Sequence, residues 1–489
     1  MTAPQWRRLD VRTALVRCGW LLPPLGGTLI TLLAARGDPG PRLLVGLGGV
    51  VIGFLTVAAV RLIRWRTTRY RIDDTAVRLE WRLVARHHRI IRLGRIRSVD
   101  VTATPAHRLL GIAVVRIGSA GDDADLVLDA VPVAQADRLR AALRGHTVAD
   151  PATLARWHRH WWRYAPLTLW VFGGVGIAVG TAFRVAEDFG VRLWELGPLR
   201  EAVDAFGDSA LWLTVPALLL SLTTIGAIGA VALGVENWSG YRLERRGPGT
   251  LSVRRGLLTT RSVDIDRSRL YGAVLREPLP LRAGGGAAVT AVAGGLGDAE
   301  QARRRGGLLP PAPRDEAVRV VAAVTGADAA TVARPPLTGH PTAARRRRLF
   351  RGLLWVTLPG GAALAALAPL SPVLLPVTAG FVLLSSVAVG WWARAAHRAL
   401  GHGVLADLVA LRSGTLNRRT VLLRREAVAS WSFTTNPFTR RRGLVTVTAA
   451  VSGGEHGYRC PDLGAAQAIE LATTATPGVL DDFLADPVR

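Results

Sequence analysis

Long apolar runs alternate with polar, strand-rich stretches along this chain of 489 residues, and the runs come in three pairs. The runs cover residues 18–35 and 43–60, residues 165–183 and 210–235, and the two halves of residues 352–393. A bilayer core of about 30 Å needs about 20 apolar residues per helix, and backbone polar groups in lipid must pair within their own segment. The pattern therefore predicts a multi-pass α-helical membrane protein with six transmembrane helices in three hairpins.

One spacing of proline and glycine recurs in the three polar stretches, with separations of six and then ten residues. The residues that keep it are Pro105, Gly111 and Gly121, then Pro278, Gly284 and Gly294, and finally Pro437, Gly443 and Gly453. Apolar or alternating residues follow each middle glycine, which is typical of a strand between two turns. A repeated spacing indicates copies of one structural unit. We predict that Gly111, Gly284 and Gly443 occupy the same place in three copies of one domain.

Each copy contains further strand signals and ends in a helical pattern. Tyr70-Arg71-Ile72 in the first copy is matched by Tyr241-Arg242-Leu243 in the second, and apolar residues recur at spacings of three and four near the end of every copy. Several short strands followed by one helix predict an α+β or partly open β-barrel module. The predicted hairpins are residues 13–63, 162–235 and 349–395, and the predicted domains are residues 64–150, 236–330 and 396–485.

This order of elements resembles the bacterial membrane-anchored PH-like domain family of the YdbS/YdbT type, whose longer members carry three such domains on three helical pairs. In that family the segment before the proline commonly reads Arg-Ile-Gln-Ser-Val. Residues 95–99, Arg-Ile-Arg-Ser-Val, match it well, whereas residues 267–271 and 426–430 depart from it. The resemblance implies three PH-like α+β domains, each a partly open β-barrel capped by a C-terminal helix, and it implies no catalytic residues. A PH-like fold does not by itself imply phosphoinositide binding.

The formal net charge is +26, and basic residues concentrate beside the outer ends of the apolar pairs. Loop 184–209, inside the second pair, instead holds three Arg and six acidic residues. Since positive residues near span ends favour the cytoplasm, both termini and all three soluble domains are predicted to face the cytoplasm from the plasma membrane. Basic residues beside an anionic leaflet also attract its headgroups. The predicted membrane-surface set is Arg64, Arg66, Arg69, Arg71, Arg345, Arg346, Arg347 and Arg348.

The sequence contains no Walker loop, no Gly-x-Ser-x-Gly elbow, no His-Glu-x-x-His and no Cys-x-x-Cys. The run Gly284-Gly285-Gly286 favours a small-residue turn, and the adjacent His87 and His88 would point to opposite faces of a strand. Cys18 and Cys460 have no metal-ligand spacing and fall in different predicted compartments. We predict no catalytic, cofactor-binding or metal-binding residues and no enzymatic activity.

The composition of the spans and of the basic segments narrows the function. Uncharged spans weigh against a proton-coupled transporter, which usually carries an ionisable residue inside the membrane. No complete nucleic-acid motif accompanies the arginines, so nucleic acid is not an expected partner. The leading prediction is a non-enzymatic integral membrane scaffold that presents three PH-like domains at the cytoplasmic surface to anionic headgroups or to a membrane protein, for which a smaller PH-like membrane protein is a candidate. The alternative is a membrane transporter or an export or resistance component.

Overall fold

A computed structural model describes most of the polar stretches and part of the apolar runs. The described residues are 6–8, 10, 41–73, 75–82, 86–93, 96–119, 126–136, 152–168, 180, 184, 211–247 and 249–481. They divide into two compact units, the first within Met1–Arg156, Glu236–Arg269 and Gly294–Gly297, and the second within Trp157–Val235, Leu270–Ala293 and Asp298–Arg489.

The smaller sheet of the first unit is an antiparallel sheet of four strands. The strands are Arg7–Arg8 (β1), Arg69–Ile72 (β2), Ala76–Arg82 (β3) and Arg86–Arg92 (β4), and they follow one another in space in this order. Val77 and Leu79 of β3 are buried, while Arg78 between them is exposed. This alternation is expected where one face of a sheet covers a core and the other face meets water.

The larger sheet of the first unit combines strands from two polar stretches. Its strands are Ile96–Ala103 (β5), Ile112–Ser119 (β6), Leu126–Pro132 (β7), Ala152–Arg156 (β8), Arg242–Arg246 (β9), Thr250–Arg255 (β10) and Thr260–Asp266 (β11). The spatial order is β7-β6-β5-β11-β10-β9-β8, so β5 of the first stretch pairs with β11 of the second. Val99 of β5 and Val115 of β6 share one core with Val77 of the smaller sheet.

The second unit contains a six-stranded and a three-stranded antiparallel sheet. The strands are Leu270–Pro278 (β12), Gly286–Ala293 (β13), Gly307–Pro313 (β14), Gly401–Leu405 (β15), Leu408–Ser413 (β16), Asn417–Arg424 (β17), Val428–Thr434 (β18), Leu444–Val451 (β19) and Gly457–Gly464 (β20). The orders are β14-β13-β12-β17-β16-β15 and β18-β19-β20. Strand β12 of the second polar stretch thus pairs with β17 of the third, and Val274, Val421 and Val447 share one core.

Helices cover the sheets and form the apolar part of the chain. They are Pro41–Thr67 (α1), Pro105–Leu109 (α2), Leu211–Trp238 (α3), Leu279–Ala283 (α4), Ala299–Arg305 (α5), Arg314–Thr325 (α6), Ala329–Ala333 (α7), Thr342–Gly352 (α8), Leu358–Leu367 (α9), Leu374–Arg398 (α10), Pro437–Arg440 (α11) and Ala465–Ala475 (α12). Helix α6 ends at Gly326, whose left-handed backbone (φ 81°) is a common helix terminator. Helix α12 buries Ala468 and Leu471 in the core of the last repeat.

Three helices of the described residues are long and apolar enough to cross a membrane. They are Leu219–Trp238 within α3, the helix Thr342–Leu367 that joins α8 to α9 through a π-helical turn at Leu353–Thr357, and Leu374–Arg398, which is α10. The prediction of six transmembrane helices in three hairpins is therefore wrong, and the chain shows three candidate spans in its described part. The run predicted at 18–35 lies outside the described residues, and α1 covers the run predicted at 43–60.

The run predicted at residues 165–183 begins in a short helix that packs against protein. Residues Arg159–Leu167 form a 3-10 helix in which Trp161 and Tyr164 are buried. Packing these aromatic rings against protein removes their apolar surface from water without a bilayer. The start of this run therefore belongs to the second unit, and most of the remainder lies outside the described residues.

The three polar stretches, which we call repeats, share one local feature, a short helix (α2, α4 or α11) followed by a left-handed glycine. These glycines are Gly111 (φ 68°), Gly285 (φ 71°) and Gly443 (φ 61°). Helix α4 begins at Leu279 with Pro278 as its N-cap, whereas α2 and α11 begin at their prolines. In the second repeat the equivalent residues are therefore Leu279 and Gly285, each one residue later than the predicted Pro278 and Gly284. Gly121 lies outside the described residues.

Candidate membrane-interface site

The third pair of apolar segments meets the last repeat at a cleft of ≈ 870 Å³. Its walls come from α8, the π-helical turn, α10 and β20, and we call it the junction pocket, defined by Arg347, Arg348, Arg351, Trp355, Trp391 and Trp392. Helices α8 and α10 approach closely at Gly352, because the missing Cβ leaves room for the side chain of Val389. The pocket thus lies where two candidate membrane-spanning helices join the strands that follow them.

The side chains of the pocket suit a membrane–water boundary. Trp355 is 73 % exposed, and indole rings prefer the level of the headgroups. Arg351 is exposed and lies one helical turn after Arg347 and Arg348, which puts the three guanidinium groups on one side of α8. The pocket therefore combines apolar rings with positive charge.

A buried carboxylate holds two of these arginines. The Asp462 side chain is 4 % exposed and forms ion pairs with Arg347 and with Arg348, whose Nη2 lies 3.0 Å from Oδ2. Arg348 also donates from Nη1 to the carbonyl oxygen of Ala396 in α10, at 3.1 Å. Since a buried charge requires a partner, these contacts bind α8 and α10 to β20. Within the described residues Arg351 forms no ion pair, so its charge remains available to the pocket.

Three neutral side chains lie behind Asp462. His340, His402 and Cys460 are buried and come from distant parts of the chain. His340 Nδ1 lies 3.1 Å from the carbonyl oxygen of Asp462, and its Nε2 lies 3.7 Å from Sγ of Cys460. The Nδ1–H group therefore donates to the carbonyl oxygen, and Nε2 accepts from the thiol. The rings of His340 and His402 meet edge to face, with centroids 5.2 Å apart.

Histidine and cysteine are common zinc ligands, and the three donor atoms of this group lie within 4.8 Å of one another. Hydrogen bonds occupy both ring nitrogens of His340, however, which accounts for its position without a metal ion. Burial lowers the pKa of His340 to about 4 and raises the pKa of Cys460 to about 12, so both are neutral at pH 7. We interpret the group as a hydrogen-bonded support for the left-handed backbone of Asp462 (φ 64°).

The structure separates the arginines of the predicted membrane-surface set. The exposed members are Arg66, Arg69, Arg345 and Arg346. Arg71 forms an ion pair with Asp73 at 2.5 Å, and Arg347 and Arg348 bind Asp462. The side chain of Arg64 lies outside the described part. The set therefore mixes surface charge with structural ion pairs, and its role at the membrane stays a prediction.

Sequence reasoning missed Asp462, the residue that organises the pocket. It lies 115 residues after Arg347, and no local motif connects the two. The same distance problem hid the group of His340, His402 and Cys460. The tryptophans were detectable, because Trp355 and Trp391 lie near the ends of an uncharged run, where an interface is expected.

Apolar helices joined to antiparallel PH-like sheets define the class: a membrane-associated protein with PH-type domains. The family model for the bacterial PH domain matches residues 27–147 and residues 360–477. The chain is similar to the UPF0699 transmembrane protein YdbT of Bacillus subtilis (strain 168), with 21% identity over 439 residues that cover 84% of this chain and 85% of that protein. The resemblance to bacterial membrane-anchored PH-like proteins of the YdbS/YdbT type is thereby confirmed. No solved structure matches the chain.

Proposed function

We propose that this protein is a non-enzymatic membrane scaffold that binds anionic lipid headgroups at the junction pocket and so holds its last PH-like domain against the cytoplasmic leaflet. The observation that carries the proposal is the exposed Arg351 beside Trp355 and Trp391 at the end of the hairpin. Indole rings anchor at the level of the headgroups, so the cation lies where a lipid phosphate would be.

The charge and size of the pocket support an anionic ligand. The lining residues include three arginines and the single carboxylate of Asp462, so their net charge is +2. A basic residue near an anionic leaflet contributes about 1 kcal/mol of binding. The cleft of ≈ 870 Å³ falls within the range of about 300–1,000 Å³ that is usual for small-molecule sites.

The proposal requires the soluble domains to lie in the cytoplasm, as the charge contrast around loop 184–209 predicts. A topology reporter fused after Arg246 or after Arg489 should give a cytoplasmic signal. An external signal from either fusion would contradict the proposed orientation.

Lipid retention tests the headgroup site. The purified protein is inserted into nanodiscs that contain phosphatidylglycerol and phosphatidylcholine, and the retained lipids are counted by native mass spectrometry. Arg351→Gln should lower phosphatidylglycerol retention about fivefold, which corresponds to about 1 kcal/mol per arginine. Arg346→Gln, an exposed arginine of α8 outside the pocket, is the matched control and should change little. Equal retention of the two lipids by the wild type, or no effect of Arg351→Gln, would refute the proposal.

A further inference from the structure

Each repeat contains a strand that precedes its short helix. These three strands differ in whether another strand pairs with their outer edge. They are β5, β12 and β18, and each pairs on one side with the next strand of its own repeat, β6, β13 or β19. On the other side β5 pairs with β11, and β12 pairs with β17, both from the following repeat. In the part of the chain that the structure describes, no strand pairs with the other side of β18.

These three strands are equivalent residue by residue. The fifth residue after each left-handed glycine lies in the strand that follows the short helix. Its partner in the preceding strand is Asp100 in β5, Val274 in β12 and Ser432 in β18. Each strand also has a register irregularity that ends two residues earlier, at Ser98, Gly272 and Ser430. The pairings of β5 with β11 and of β12 with β17 therefore predict the register in which a strand would pair with β18.

The covering strands are equivalent as well, and their counterpart in the first repeat is β4. Each is the third strand of a meander, β2-β3-β4, β9-β10-β11 or β15-β16-β17. Val263 of β11 lies opposite Asp100, and Val421 of β17 lies opposite Val274. The amides of Leu93, Arg267 and Arg425, just after these strands, bond in the same way to the residue that precedes the middle strand. Four residues before them lie Arg89, Val263 and Val421, so the same position in β4 is Arg89. Strand β4 lies at the edge of its sheet in the described residues, with β3 as its neighbour.

The outer edge of β18 has the composition of an interface. Leu275 of β12, whose outer edge pairs with β17, is 2 % exposed, whereas the equivalent Phe433 of β18 is 39 % exposed. Ser430 and Ser432 are exposed too. Strand β18 contains no charged residue and no proline, which are the features that usually keep an edge strand from pairing. Such an edge is suited to accept a strand from another chain.

We infer that β18 binds strand β4 of a second copy of this chain, antiparallel and in the register of the two internal pairings. The opposed residues are then Trp431 and Ile90, Ser432 and Arg89, Phe433 and His88, and Thr434 and His87. Ile90 is 59 % exposed within its own copy, and the pairing covers it with an aromatic ring. The second copy is the occupant because, among the residues that the structure describes, each chain has one strand of each kind with an unpaired edge, β18 and β4, and the internal pairings define how the two kinds match. The inference does not depend on headgroup binding.

Cross-linking in native membranes tests the register. Two differently tagged copies are co-expressed, one with Thr434→Cys and the other with His87→Cys. Mild oxidation should link the two tags by a disulfide, at least fivefold above the background of unsubstituted copies, which contain Cys18 and Cys460. Thr434→Cys with His88→Cys is the matched control and should stay at background, because neighbouring residues of a strand point to opposite faces.

A second pair of variants separates the interface from folding, and both should accumulate in the membrane as the wild type does. Ser432→Arg places a like charge opposite Arg89 of the second copy and should lower the cross-linked fraction about fivefold. Ser452→Arg, at an exposed turn of the same domain, should leave it unchanged. Absence of the cross-link, equal linking in the control pair or insensitivity to Ser432→Arg would overturn the pairing. A Thr434→Cys cross-link only to a smaller membrane protein would overturn the second copy as occupant.

Discussion

Two buried carboxylates, each shared by two arginines, are the residues on which single substitutions should act most strongly. Asp462 binds Arg347 and Arg348 at the junction pocket. Glu277 is fully buried and binds Arg314 at 3.0 Å and Arg418 at 2.8 Å, which ties α6 and β17 to β12. Breaking a buried ion pair leaves a charge without compensation, so the loss exceeds what the pair itself contributes.

Substituting Asp462 tests this at the junction pocket. Asp462→Asn should destabilise the protein by about 3 kcal/mol, because it leaves two partly buried guanidinium groups unpaired. Asparagine tolerates a left-handed backbone, so the change removes the charge and keeps the turn. Denaturant unfolding in detergent micelles, followed by tryptophan fluorescence, measures the effect. Glu426→Gln is the control, since this exposed residue should contribute less than about 0.5 kcal/mol. Equal stability of Asp462→Asn and the wild type would contradict the role of this ion pair.

Acidification should weaken the same region, because burial keeps His340 neutral. The pKa of His340 is about 4 in the folded protein, against about 6.5 in an unfolded chain. Between these values the unfolded chain binds more protons, so stability falls as the pH falls from about 6.5 to about 4. His340→Gln should flatten this dependence, and His456→Gln at an exposed turn should preserve it. Unfolding midpoints at pH 7.5 and pH 4.5 are the measurement, and an unchanged slope in His340→Gln would argue against the assignment.

The pairing of β12 with β17 is the element-scale feature most open to a direct test. The two strands approach so closely at Gly272 that a Cβ there would collide with the carbonyl oxygen of Leu422. Gly272→Ala should loosen the pairing at a cost of about 1–3 kcal/mol, as overpacking usually does. Hydrogen exchange of the β17 amides should rise accordingly. Gly339→Ala is the control, because nothing lies within 4 Å of its added Cβ. Unchanged exchange in β17 would show that the strands can move apart freely.

Elements were easier to predict from the sequence than their neighbours. The uncharged stretch at 352–393 predicted two helices, and α9 and α10 lie there. The strands after the left-handed glycines also follow the predicted pattern. The partners of β5 and β12 were not predictable, because every strand offers the same backbone groups and the choice depends on residues far apart in sequence. The one-residue offset of the second repeat was not predicted, because Gly284 and Gly286 flank Gly285 and the sequence does not tell which of the three adopts the left-handed backbone.

At the scale of the whole chain, consecutive repeats are joined through sheets as well as through the peptide chain. A chain that ends after residue 400 keeps the third apolar hairpin but lacks β15 to β20, so Val274 and Leu275 of β12 lose their cover. It should be degraded faster than the full chain, because an uncovered apolar edge promotes unfolding and aggregation. Pulse-chase labelling measures the lifetime. A chain that lacks only residues 482–489 is the control, and equal lifetimes of all three chains would contradict the prediction.

Because the sheets combine strands from two repeats, a finished strand must wait during synthesis until its partner has been translated. Strand β5 ends at Ala103 and its partner β11 ends at Asp266. The ribosome adds about 160 residues between these points, which takes roughly 8–30 s at about 5–20 residues per second. For that interval the finished strand has one edge open to wrong partners, and β12 repeats the situation while it waits for β17. Slower translation of one repeat should therefore lengthen the time in which a strand of the previous repeat can pair with a wrong partner.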